Sequence, residues 1–147
     1  MPVFVLKKYQ PKDNQTPVEN EQNSQKEQQE EQQEESKEVT IDVIGSIPEI
    51  VINALYKKFG NDAKIEKVEG NVENPDIKVI SSESINTNGL AVLRKINEND
   101  TVYLYLNRFT STQESWFMHN LESKTKNIIF TMERFLNVVR DKLNNTD

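Results

Sequence analysis

Between residues 10 and 38 the chain carries one large apolar side chain, Val18, in a run dominated by Gln, Glu, Asn, Ser and Lys. Such a segment has too little apolar area to offset the entropy lost on ordering, so it cannot contribute a core. Gln, Glu and Lys favour helix, but with no apolar stripe no packing would hold one. Residues 11–38 are therefore expected to form a disordered acidic linker. As a flexible coil, ~29 residues span about 30 Å root-mean-square. A packed structure must come from residues 39–147, expected to be one globular α/β domain. Ahead of the linker stands the isolated apolar peptide PVFVLKKY, residues 2–9.

Charge divides unevenly. Residues 1–38 hold five lysines and nine acids, whereas residues 39–147 hold thirteen basic and fifteen acidic residues. Neither part has the concentrated positive field with which a protein grips a nucleic-acid backbone, so nucleic acid is disfavoured as a partner. The chain has no cysteine, which rules out disulfides, Cys-ligated metal and thiol nucleophiles and fits a reducing compartment. No apolar run approaches the ~18–20 residues needed to span a bilayer. The short apolar stretch at the N-terminus has its lysines after it rather than before it, unlike a secretory signal. The expectation is a cytoplasmic protein without a membrane span. Its Asn, Lys and Ile content suits an AT-rich genome, such as that of a phage, a plasmid or a low-GC bacterium.

From Val39 the folding signals are regular. VTIDVIG (39–45) alternates in the period of a half-buried strand. SIPEIVINALYKKFG predicts a helix: Ser46 and Glu49 have capping-box spacing, Pro48 lies in the first turn, and Gly60 stands at the end. Ile47, Ile50, Val51, Ala54, Leu55 and Phe59 form its core stripe. AKIEKVEG (63–70) is polar enough for a sheet edge, and DIKVISS (76–82) reads as a more central strand. The few residues between them cannot supply a parallel crossover, which predicts an antiparallel hairpin. TNGLAVLRKIN (87–97) is expected as a short helix with Leu90, Leu93 and Ile96 or Ile85 toward the sheet; two strands around the turn NEND are the alternative. TVYLYLNRF (101–109) is the clearest strand. The order β-α-β-β-α-β is that of an α+β, ferredoxin-like sandwich.

The last segment predicts one long helix over 111–144, capped by Ser111 and Glu114. A break at ESKTKN (122–127), giving two helices, is the alternative. Its apolar stripe is wide enough either to cover the sheet or to pair with another copy, which makes Ile128, Met132, Phe135 and Val139 candidate residues of a homodimer interface.

Candidate chemistry is sparse. His119, the sole histidine, has Glu122 at i+3 but no further ligand in view, so no metal or other cofactor is expected. There is no G-x-S-x-G elbow, phosphate loop or dinucleotide fingerprint, and the chain reads as a non-enzyme. The nearest thing to a ligand site is Gly45–Ser46, where a strand passes into a helix start and free N–H groups could receive an anion, with Ser81, Ser82 and Arg108 as possible neighbours. Single-strand RNA binders of this element order stack bases on aromatics of the two central strands. The strands expected there, 39–45 and 76–82, have none.

The peptide of residues 1–10 is then the most pointed feature. An extended PVFVLKKY faces Val3 and Val5 one way and Phe4 and Leu6 the other, so its burial needs cover on both sides. Added to an exposed sheet edge it would gain main-chain hydrogen bonds, and the long linker suggests an edge on a partner or a neighbouring subunit. The expected function is that of an adaptor or assembly protein which docks an unidentified protein through Val3, Phe4, Val5, Leu6 and Tyr9. The competing expectation is a small-ligand or nucleotide-sensing domain, or a small enzyme, using the anion-binding corner at Gly45/Ser46 with Arg108.

Overall fold

The computed structural model describes residues 2–9, 38–106 and 111–144. Their elements are β1 (Pro2–Lys8), β2 (Glu38–Ile44), α1 (Glu49–Phe59), β3 (Ala63–Glu69), β4 (Ile77–Ser81), α2 (Ser82–Leu93), β5 (Thr101–Tyr105), α3 (Thr112–Glu122), β6 (Asn127–Ile129) and α4 (Met132–Asn144). The strands form one six-stranded sheet in the order β3-β1-β2-β4-β5-β6. β1 is antiparallel to both of its neighbours, and β2, β4, β5 and β6 are mutually parallel.

The N-terminal peptide is a strand of its own domain's sheet. Pro2–Lys8 pairs along its whole length with β3, and Val3–Lys7 pairs with β2. Its alternation is used on both faces. Phe4 and Leu6 join the core beneath α1 and α4, while Val3 is buried on the opposite side. Lys7 lies opposite Glu38 and also approaches Glu66, at 3.9 and 3.8 Å, so charge supports the same register. The long linker does not oppose this pairing. Closing a loop of ~29 residues rather than ~5 costs only about 1.5 kcal/mol more, because closure entropy grows as the logarithm of length. The domain's sheet therefore includes residues 2–8 of the peptide that the sequence sets apart as 1–10. Most of the expected linker, residues 11–37, lies outside the described residues.

The expected hairpin between residues 63–70 and 76–82 is replaced by a wider arrangement. β3 and β4 run in the same direction and are separated by β1 and β2. The short connection rules out parallel neighbours, but it does not require the two strands to be neighbours at all. Gly70 and Asn74, both at positive φ (132° and 55°), turn the chain on this return path. β3 is the polar edge, and β4 is central, with all five residues buried. The class is α+β on a mixed sheet, and its strand order departs from the ferredoxin-like one.

Two helices cover each face. Val51, Leu55 and Phe59 of α1 and Phe135, Val139 and Leu143 of α4 pack with Val39, Ile41, Val43, Ile77, Val79 and Tyr103. Ile85, Val92 and Leu93 of α2 and Phe117 and Leu121 of α3 pack with Ile44, Ile80, Val102 and Leu104. The apolar spacings place most of these residues correctly and miss two. Ile50 is 61% and Leu90 51% exposed, while Ile52 takes the buried place on α1. Asn88 leaves helical geometry inside α2, and its Oδ1 accepts the Ala91 N–H at 3.1 Å, starting the second short turn.

The expected C-terminal helix divides. The Ser123 hydroxyl donates to the Asn120 carbonyl at 2.7 Å, and the buried Thr125 hydroxyl donates to the Asp100 carbonyl at 2.7 Å. These side-chain bonds compete with helix continuation, and the β-branched pair Ile128–Ile129 extends the sheet as β6. In α4, Phe135 and Val139 are fully buried against their own sheet, with the Phe135 ring stacked on Tyr103 at 4.5 Å. Met132 packs against the same core and Ile128 against the opposite one. The residues proposed for a dimer interface are thus mainly the domain's own core.

Truncating Leu6 to Ala should cost about 2–5 kcal/mol, the usual penalty at a buried leucine, in urea unfolding of the full chain. Proteolytic nicking between residues 10 and 37 should leave the terminal peptide bound to the remainder through gel filtration. Release of the peptide from a folded remainder would contradict this arrangement.

Candidate functional site

The expected corner at Gly45–Ser46 lies at the carboxyl end of the sheet's parallel strands. α1 follows β2 and α2 follows β4, and these adjacent strands send their helices to opposite faces. From β2 the chain proceeds outward to β3 on one side. From β4 it proceeds to β5 and β6 on the other. The carboxyl ends of β2 and β4 therefore flank a point where the winding reverses, the position at which open α/β sheets leave a crevice for ligands.

Ser84 organises this corner. Its hydroxyl donates to the Ile44 carbonyl at 2.9 Å, accepts the Ser46 N–H at 3.1 Å and lies 3.4 Å from the Ser81 hydroxyl. Gly45 adopts φ +87°, and a Cβ placed on it would collide with the Ser84 side chain. Glycine is thus required twice over, for the left-handed turn and for close approach. Ser46 is not the helix cap its spacing with Glu49 suggests, because Pro48 holds the N-cap position and no side chain caps α1. Its N–H is already engaged by Ser84, while Ser46 and Gly45 are both exposed. Ser81 ends β4, close to where the sequence ends that strand, but the helix α2 begins at once with Ser82 rather than at residue 87, and both serines are buried. Arg108 lies outside the described residues.

A second polar cluster joins the starts of α2 and α3. The Ser111–Glu114 capping box forms as expected, with Ser111 Oγ accepting the Glu114 N–H at 3.1 Å and Glu114 Oε1 accepting the Ser111 N–H at 3.2 Å. Asn86 extends it by donating Nδ2–H to Glu114 Oε2 at 3.1 Å and accepting from Ser111 Oγ at 3.2 Å. Glu114, only 3% exposed, is a fully engaged clasp between two helices. Serine and asparagine closely following a strand end were the available sequence signal for Ser84 and Asn86.

Two buried charges serve structure. Lys78 donates to Asp100 Oδ2 at 2.8 Å and to the Lys95 carbonyl at 2.7 Å, while Asp100 Oδ2 also accepts the Asn97 N–H at 2.7 Å. Asp42, beside Lys78 in register, is 7% exposed and leaves Oδ1 without a hydrogen bond. Burial pushes its carboxyl above the ordinary 3.8, outweighing the opposing pull of Lys78. Tyr103 is buried, with its hydroxyl 3.9 Å from Met132 Sδ, and desolvation lifts its pKa to about 12. It is a core residue rather than a stacking platform for bases. His119 lies on the exposed side of α3. Among the described residues, no three His, Cys, Asp or Glu side chains cluster as metal ligands, and no helix is long and apolar enough to cross a membrane.

No protein-family model, curated protein or solved structure matches this chain.

Two consequences can be measured. Gly45→Ala should lose about 1–3 kcal/mol from enforced left-handed strain alone, read by urea denaturation, and more if Ser84 cannot move aside. Because the folded state of Asp42 holds its proton more tightly than the unfolded state, its ionisation destabilises the fold as pH rises from 3.8 through the folded pKa. Asp42→Asn should therefore gain stability over the wild type across that interval, and a pH-independent difference between the two proteins would refute the assignment.

Proposed function

We propose that this domain is a non-catalytic binding module for a small ligand bearing an anionic group. The ligand occupies the crevice between the carboxyl ends of β2 and β4. One observation carries the reading: the neighbouring strands β2 and β4 wind outward in opposite directions, with α1 and α2 on opposite faces. Ligands of open α/β sheets bind at such reversals because both connecting loops turn away and leave the strand ends uncovered.

The polarity of the crevice supports an anionic group. The amino ends of α1 and α2 both meet it, and each presents partial positive charge worth about 0.3–1 kcal/mol to a nearby anion. The engaged Ser46 N–H means that Ser84 fixes the shape of the turn, while contact with ligand falls to the exposed Ser46 hydroxyl and the start of α1. Glu49 and Glu83, in the first turns of the two helices, oppose a highly charged ligand and favour one with a single anionic group.

Docking a partner through Val3, Phe4, Val5, Leu6 and Tyr9 would require withdrawing β1 from between β2 and β3. That would expose buried Val3, Phe4 and Leu6 and, among the described residues, leave β3 without a pairing partner. The geometry therefore favours the ligand-binding reading over the adaptor reading.

The test is a titration of the full chain with inorganic phosphate, nucleoside monophosphates and sugar phosphates, followed by amide NMR. The expected result is saturable movement centred on residues 45–47 and 81–84, weakened at least tenfold by Ser46→Asp. Movement confined to other regions, or none with any probe, would refute the proposal.

A further inference from the structure

A groove of about 240 Å³ lies beneath α4 beside β6, at the opposite side of the sheet from β3. Along α4 it is lined by Arg134, Val138 and Lys142, and across from them by Lys126 and Ile129. The spacing i, i+4, i+8 sets the three helical residues in one row, with the outer two about 12 Å apart at 1.5 Å rise per residue. No acid lines the groove, and among the described residues Lys126, Arg134 and Lys142 have no ion-pair partner. In a chain of net charge −6, this is a local concentration of uncompensated positive charge.

β6 forms the wall of this groove, and among the described residues it pairs with β5 alone, leaving its other edge without a described strand. An extended segment added there would alternate its side chains at about 6.8 Å intervals on one face. Positions i and i+4 of such a strand, about 13.6 Å apart, match the separation of Arg134 and Lys142. Position i+2 then falls over Val138 and Ile129.

We infer that this groove binds an acidic, extended peptide of a partner protein by strand addition to β6, with the pattern acid-x-apolar-x-acid. The main-chain edge supplies pairing, the two outer cations select the acids, and the apolar floor selects the middle residue. The inference is independent of the ligand proposed for the β2–β4 crevice.

The probe is an acetylated, amidated peptide Glu-Thr-Val-Thr-Glu, titrated into the full chain and read by amide NMR at two salt concentrations. Saturable shifts at Ile128, Ile129 and Val138 are expected, with at least tenfold weaker binding to the double variant Arg134→Glu, Lys142→Glu and weaker binding at high salt. The variant's circular dichroism should be unchanged, since Arg134 is exposed and Lys142 only half-buried. Equal binding to the variant, or equal binding of Lys-Thr-Val-Thr-Lys, overturns the inference. Saturation of the same amides by inorganic phosphate at matched concentration would make this a small-anion site and also overturn it. So would movement of those amides in peptide-free protein when the glutamates between 27 and 35 are replaced by glutamine, since the chain's own acidic segment would then be the occupant.

Discussion

The pairing of β1 between β2 and β3 is the interaction on which the rest of the sheet depends. The β2-α1-β3 crossover leaves a gap one strand wide, and the residues that fill it are distant in sequence from both walls. Among the described residues β3 has β1 as its sole strand neighbour, so the pairing of β3 shown here depends on that strand. The apolar faces of β1 are each used: Phe4 and Leu6 complete the core under α1 and α4, and Val3 is buried on the other side. Burial of three such side chains is worth roughly 5–9 kcal/mol gross, and two flanking ladders satisfy the backbone that an isolated peptide would leave to water.

This placement also bears on where the proposed ligand would sit. β1 and β3 complete one wing of the sheet, and β5 and β6 complete the other. The two wings diverge from the β2–β4 boundary, where Gly45 and Ser84 hold the turn by close approach. The function proposed here follows from that topology and from the polarity of two helix starts. At the far side of the same sheet, the β6–α4 groove has different chemistry, with cations around an apolar floor, and suits a different kind of partner.

Much of this was legible from residue patterns, because local periodicity and capping are local physics. The strands near 39–45 and 76–82, the first part of the one expected at 101–109, the helix ending at Gly60, the polar edge at 63–70 and the Ser111–Glu114 box all follow from nearby residues. What could not be read was the identity of non-local neighbours. PVFVLKKY shows that both its faces need cover, yet nothing in those letters says that residues 38–44 and 63–69 provide it. The expected hairpin fails for the same reason, since a short connection excludes parallel adjacency without requiring the two strands to be neighbours. Thr125 lies inside the helix expected over 111–144, and its hydroxyl bond to the Asp100 carbonyl, a contact distant in sequence, favours the break that precedes β6. At the candidate site, Gly45 was visible as a turn, while its dependence on Ser84, distant in sequence, was not.

The claim that the terminal peptide belongs to the domain's core is tested most directly by native-state amide hydrogen exchange in the full chain. If β1 is integral to the sheet, the slowest-exchanging amides of Val3–Leu6 should open with the same free energy as those of Ile41 and Val43 in β2, through global unfolding. Rapid exchange in residues 3–6 alongside strong protection of Ile41 and Val43 would show a peptide only loosely attached to a domain that folds without it, and would contradict the account.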